Sequence, residues 1–208
     1  MDGSGMDIAE LILRGKTEPE SYAASLTLEE IASLVPLLQE KEDALRYAAF
    51  LTLCARSQST PDVLPHWETF EQKLRHKNSY QRSIGLMLIA HNVRWDTAGL
   101  FRGAFSGYMA CCNDESFVTR RQAIQSIRFW APYAPEHLEE AAAMLMEIDV
   151  ALCKETQRKL LLQDICFALV CMAELAPDIA CAGYLHHAVT GGLLDKKTAK
   201  RLIDALPQ

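Results

Sequence analysis

The chain has 208 residues, of which 50% are hydrophobic, 23% are charged and 8% are aromatic. This apolar fraction is enough to build a folded core, which excludes disorder along the whole chain. The 21 lysines and arginines against 27 aspartates and glutamates give a formal net charge of −6, which argues against nucleic-acid binding over the whole surface.

Helical patterns run along most of the chain, and the patterns typical of β-strands are missing. Residues 1–26 are predicted to form one or two short helices that cap the N-terminal end. Thr27 and Glu30 then form a capping box, a pair of side chains that closes the start of a helix. Pro61 and Pro135 fall between later periodic stretches and mark helix boundaries.

One short pattern recurs four times along the chain, at intervals of 36, 38 and 38 residues. Each copy begins with an arginine and places small or apolar residues three, four and seven positions later, which is the spacing of one helix face. A second helical segment lies between successive copies, so each interval corresponds to one helix hairpin. The four arginines are Arg46, Arg82, Arg120 and Arg158.

A hairpin of this length cannot bury both of its apolar faces alone, so we expect neighbouring hairpins to stack. The sequence therefore predicts an all-α fold, a right-handed α–α superhelix of about five helix hairpins in a single domain. Leu202, Ile203 and Leu206 are expected to face inward at its C-terminal end. The predicted parts are an N-terminal cap at 1–26, repeats at 27–57, 62–93, 97–131 and 135–174, and a C-terminal cap hairpin at 178–208.

The repeat length and the arginine in the second helix of each hairpin resemble HEAT-like repeats and, less closely, armadillo repeats. Residues 78–96 (NSYQRSIGLMLIAHNVRWD), 118–127 (VTRRQAIQSI) and 154–169 (KETQRKLLLQDICFAL) are similar to a group of small bacterial HEAT-like proteins. The resemblance covers roughly residues 58–170 and implies a helical solenoid. It implies no activity, because the members of that group share no settled one.

The four repeated arginines stand at the start of the apolar stripe of their helices, which indicates a structural role. We predict a ladder in which each arginine pairs with an acid or a backbone carbonyl of the adjacent repeat. Candidate partners near helix starts are Asp43, Asp114 and Glu155. A row of ligand-binding arginines is the alternative interpretation.

The opposite face of the same helices is expected to line a concave groove, where α-solenoids commonly bind partners. Its side chains are polar, aromatic and cationic, a mixture that suits the recognition of a protein or peptide. Burial under a neighbouring helix is the competing interpretation for individual residues, and Trp95 in particular could fill a junction between repeats. The candidate binding residues are Tyr47, His91, Arg94, Trp95, Arg121, Gln125, Arg128 and Gln163.

Enzyme and metal signatures are missing from the sequence. The seven cysteines form no CxxC pair and no zinc-binding spacing with histidine, so we predict reduced and mostly buried thiols. A redox role for the adjacent Cys111 and Cys112 is the alternative. No dinucleotide-binding, P-loop, serine-hydrolase or zinc-protease motif is present. We therefore predict no catalytic residue, no metal site and no cofactor.

The predicted function is a non-enzymatic protein-binding or scaffolding module that holds a protein or peptide in the groove. No run of 18 apolar residues and no secretion signal is found, so we expect a soluble, cytoplasmic protein without membrane contact. The alternative is a nucleic-acid-binding protein, similar in architecture to HEAT-like DNA alkylation-repair glycosylases. Its candidate contacts are Trp67, Trp95 and Trp130 with Arg94, Arg121 and Arg128.

Overall fold

The computed structural model describes residues 7–205, and within that range it contains twelve α-helices and no β-strand. The prediction of an all-α fold is therefore confirmed. Residues 1–6 of the predicted N-terminal cap and 206–208 of the C-terminal cap, including Leu206, lie outside the described range. The helices are α1 (Ile8–Thr17), α2 (Pro19–Ser25), α3 (Leu28–Leu37), α4 (Asp43–Ser59), α5 (Trp67–Lys73), α6 (Ser79–Asn92), α7 (Leu100–Cys111), α8 (Phe117–Trp130), α9 (Leu138–Met146), α10 (Glu155–Leu175), α11 (Ala182–Thr190) and α12 (Lys196–Asp204).

Short side chains fix the starts of several helices by accepting hydrogen bonds from amides that the first turn leaves unpaired. The capping box at α3 is present, with Thr27 N donating to Glu30 Oε2 at 2.8 Å. Asn78 accepts from Tyr80 N at the start of α6, and Asp195 caps α12 in the same way. These starts are local, which is why the sequence alone predicts them.

The chain divides into two compact units, Met1–Gly103 and Ala104–Gln208, and the division falls within α7. In the first unit, α1, α2, α3 and α6 all pack against α4. The repeated arginines Arg46 and Arg82 lie on α4 and α6 of this unit. The single right-handed superhelix of the sequence analysis stays a prediction.

Helices α5 and α6 of the first unit approach each other closely at Gly85. A Cβ atom at this position would lie 2.6 Å from Phe70 O and 2.7 Å from Lys73 Cβ, well inside normal contact distance. Gly85 stands three positions after Arg82, where the repeated pattern requires a small residue. The absent side chain lets the backbone of α5 rest on α6 and brings Lys73 against that helix.

In the second unit, α8, α9, α11 and α12 pack against α10. The core contains two large aromatic residues, Tyr108 and Trp130, both fully buried. Their rings meet edge to face at 6.0 Å, and Tyr108 Oη donates to Ala123 O at 2.7 Å. On α12 the inward residue is Leu202, whereas Ile203 is 56% exposed. The expectation that Ile203 faces inward is wrong, because successive helix residues point about 100° apart.

Candidate functional site

The four repeated arginines donate hydrogen bonds to backbone carbonyls in the turn that precedes their own helix. The first three acceptors stand three residues beyond the end of the preceding α-helix, where carbonyls lack intrahelical donors. The bonds are Arg46 Nη1 to Glu40 O (2.7 Å), Arg82 Nη1 to His76 O (2.8 Å), Arg120 Nη2 to Asp114 O (2.9 Å) and Arg158 Nε to Cys153 O (3.0 Å).

These bonds differ from the predicted ladder, in which each arginine bonds to the adjacent repeat. The guanidinium reaches back five or six residues and closes the turn of its own hairpin, where the carbonyls lie outside the helical hydrogen-bond pattern. Arg46 also forms an ion pair with Asp43 on its own helix. Arg120 adds a contact beyond its own turn, since its Nη1 lies 3.1 Å from Cys153 Sγ.

The candidate groove residues of the first unit are not gathered on one open face. His91 is only 6% exposed, so its predicted place in a groove is wrong. Tyr47 is exposed near the start of α4. Trp95 Nε1 donates to Ser57 O at 2.6 Å near the end of α4. Ser57 is ten residues after Tyr47, about 15 Å further along that helix.

Arg94 and Trp95 together fasten the turn after α6 to the last turn of α4. Arg94 Nη1 donates to Gln58 O at 2.7 Å, and its guanidinium lies 5.2 Å from the centre of the Trp95 ring. Both bonds satisfy carbonyls at a helix end, which lack donors of their own. The geometry matches the interpretation of Trp95 as a residue that fills a junction.

The candidate residues of the second unit, by contrast, lie together. Arg121 and Gln125 on α8 both donate to the buried carboxylate of Asp164 on α10. The distances are 2.5 Å from Arg121 Nε to Oδ2, 3.2 Å from Nη2 to Oδ1, and 2.9 Å from Gln125 Nε2 to Oδ1. The hydrogen bond to Asp164 raises the pKa of Arg121. These two side chains therefore hold Asp164 and join α8 to α10.

Gln125 and Asp164 of this cluster also line a cleft of about 380 Å³ bounded by α8, α10 and α12, which we call the α8–α10 cleft. Ile124, Phe167 and Ala168 form apolar parts of its lining. Arg128 and Gln163, both predicted binding residues, also line it, as does Arg201 from α12. Arg201 is not among the binding residues predicted from sequence, because its approach to Phe167 of α10 joins residues more than thirty positions apart.

Arg128 and Arg201 give the cleft its charge. Arg128 lies 4.7 Å from the centre of the Phe129 ring, and Arg201 lies 5.0 Å from that of Phe167. Neither arginine forms an ion pair with an acid of the described residues 7–205, whereas the nearby Asp164 is neutralised by Arg121. The α8–α10 cleft therefore offers two exposed cations beside an apolar wall.

The nucleophile nearest to these groups is the thiol of Cys171, which also lines the cleft. Burial raises the pKa of Cys171, with a further contribution from Glu174, so the thiol stays protonated at neutral pH. Burial likewise raises the pKa of Cys112 well above its usual value, which makes Cys112 a poor redox centre.

The described part of the chain also bears on metals and membranes. Among residues 7–205, no three side chains of histidine, cysteine, aspartate or glutamate come together as metal ligands. Within the same residues, no helix has the length and apolar character that a membrane span requires.

No protein-family model, no curated protein and no solved structure matches this chain.

Proposed function

We propose that this chain is a non-enzymatic protein-binding module that holds an acidic segment of a partner protein in the α8–α10 cleft. The observation that carries the proposal is the pair Arg128 and Arg201, two exposed cations of the cleft that form no ion pair with any acid of residues 7–205. Arginine beside aromatic and aliphatic surface is a frequent hot spot of protein interfaces. A carboxylate of the partner would complete the charge balance, and an adjacent apolar side chain would cover Ile124 and Phe167.

The size of the cleft supports a peptide anchor over a larger ligand. Its volume of about 380 Å³ lies at the lower end of the range for small-molecule sites. One acidic side chain and one apolar neighbour fill such a space, and the rest of the partner then lies on the surface outside. Arg121 and Gln125 act here as positioning residues, because both hold the carboxylate of Asp164.

The test is a charge reversal at the two arginines of the cleft. Arg128→Glu combined with Arg201→Glu is expected to abolish capture of the partner from native lysate, read by mass spectrometry. Lys154→Glu combined with Lys197→Glu is the matched control, because it changes the net charge equally at exposed residues outside the cleft. Partners that bind both double variants as well as the wild-type protein would refute the assignment of the cleft.

Nuclease treatment of the same lysate separates the nucleic-acid alternative. Two of the three tryptophans on which that alternative depends, Trp67 and Trp130, are buried and cannot stack on bases. Partners that disappear with nuclease, and duplex binding that falls steeply with salt, would nevertheless favour it. We expect the captured protein to persist after nuclease treatment.

We also propose that the hairpins are HEAT-like repeats arranged in a right-handed superhelix, in a protein that acts in the cytoplasm. The recurrence of one arginine-to-carbonyl bond in four turns supports the repeat, and the absence of disulfides among residues 7–205 suits a reducing compartment. A crystal structure tests the superhelix, and fractionation of cells tests the location.

A further inference from the structure

The first unit contains a polar pocket of about 460 Å³ that the proposed function does not use. It lies among the turn between α3 and α4, helix α5 and the start of α6. Lys73 and Arg46 both line this pocket, which we call the Lys73 pocket. Because it belongs to a different unit from the α8–α10 cleft, its occupancy can be tested independently.

Lys73 is an unusual residue to find in the interior. It is only 5% exposed, and its ammonium group donates to the neutral side-chain oxygen of Gln81. Gln81 is held in turn, since its Nε2 donates to Leu38 O at 2.9 Å. Within residues 7–205, Lys73 forms no ion pair. Burial accordingly lowers the pKa of Lys73, since a buried cation without a counter-charge is costly.

Arg46 adds a second cation with a spare donor. Its Nη1 and Nη2 atoms bond to Glu40 O and Asp43, but its buried Nε has no hydrogen-bond partner among residues 7–205. The guanidinium also lies 4.5 Å from the centre of the Tyr80 ring, which fixes its plane. A buried N–H without an acceptor is costly, so an acceptor beside this group would be stabilising.

Two further side chains of the pocket also offer donors. His76 Nδ1 accepts from Asn78 N at 3.0 Å, so the N–H of the His76 ring is on Nε2. Asn78 Oδ1 accepts from Tyr80 N at 2.9 Å, which leaves the side-chain amide N–H groups of Asn78 as donors. Glu40 lines the pocket as an acid and Lys41 as a further cation. Donors and positive charge therefore predominate.

We propose that the Lys73 pocket binds a small oxyanion, a phosphate or carboxylate group, between the ammonium of Lys73 and the guanidinium of Arg46. Such a group supplies several acceptor lone pairs and the negative charge that Lys73 lacks. The side-chain amide of Asn78, which also lines the pocket, contributes further donors. A small metabolite that carries one phosphate or carboxylate fits the volume.

The probes are inorganic phosphate and malonate, titrated by calorimetry into the full chain at constant ionic strength. Lys73→Met keeps the buried stem and removes the charge, so it is expected to fold at least as stably as the wild-type protein. Its affinity for the oxyanion should fall by roughly 10- to 100-fold, the range for losing a charged hydrogen bond. Lys77→Met is the matched control, because Lys77 is exposed in the turn between α5 and α6, close to Lys73 in sequence, and does not line the pocket.

Saturable binding of either probe that is lost in Lys73→Met and kept in Lys77→Met supports the proposal. Tighter binding of phosphate identifies a phosphorylated ligand, and tighter binding of malonate identifies a carboxylate ligand. If the wild-type protein binds neither probe, or if Lys73→Met binds as tightly as the wild-type protein, the proposal is overturned.

Discussion

Replacing Gly85 by alanine would place a methyl group where helix α5 touches helix α6. The new Cβ atom would lie 2.6 Å from Phe70 O and 2.7 Å from Lys73 Cβ, and one of these is a backbone atom that cannot rotate away. Overpacking of this kind costs about 1–3 kcal/mol. Alanine gains about 1 kcal/mol over glycine inside a helix, which offsets part of the clash. Because the backbone of α5 must shift, we expect a net loss of up to about 2 kcal/mol in the free energy of unfolding.

Gly103→Ala is the matched control for this prediction. A Cβ atom at Gly103 in α7 meets no atom within 4 Å, so only the gain in helix propensity remains, about 1 kcal/mol at most. In urea unfolding followed by circular dichroism, the transition midpoint should therefore fall for Gly85→Ala and rise for Gly103→Ala, both relative to the wild-type protein. If Gly85→Ala is as stable as the wild-type protein or more so, the close approach of α5 and α6 is wrong.

Two further predictions concern titration and thiol chemistry. The hydrogen bond from Lys159, with that from Thr198 N, holds the pKa of Asp195 below its ordinary value of 3.8, so this carboxylate stabilises the fold above that value and ceases to do so as the pH falls. The melting temperature of Asp195→Asn should therefore lie below that of the wild-type protein at pH 7, with the difference shrinking toward pH 2; a difference that grows in acid would contradict this. In the native protein, an aromatic disulfide reagent should modify no thiols other than those of Cys153 and Cys171, because the other five cysteines are buried. Rapid reaction of all seven thiols without denaturant would show that the core is not closed.

The helices could be predicted from sequence because their causes are local. The capping box of Thr27 and Glu30 lies within four residues, and the apolar stripe after each repeated arginine lies within two helical turns. His91 shows the limit of that reasoning. A helix that packs on several neighbours is buried on most of its faces, as α6 is, and periodicity does not reveal how many neighbours there are.

The candidate site of the second unit could be predicted only in part. The helix positions of four of its residues predict that they share one surface. The side chains of Arg121 and Gln125, however, donate hydrogen bonds to Asp164, which lies roughly forty residues away in the sequence. No local pattern distinguishes such an arginine from Arg128, which forms no ion pair among the described residues. The difference arises from long-range packing, which also brings Arg201 to the same cleft.

The bond from each repeated arginine to the turn before it affects which insertions and deletions the chain can tolerate. The arginine and the carbonyl that it bonds to lie only five or six residues apart, so both belong to the same segment of the chain. A duplicated or deleted segment of about 38 residues would therefore contain both partners of its own arginine-to-carbonyl bond, and the same bonds in the flanking segments would be kept. A single residue inserted between the carbonyl and the arginine has the opposite effect, because it rotates the guanidinium by about 100° away from its acceptor. Whole-hairpin gains and losses should thus be tolerated where one-residue insertions are not.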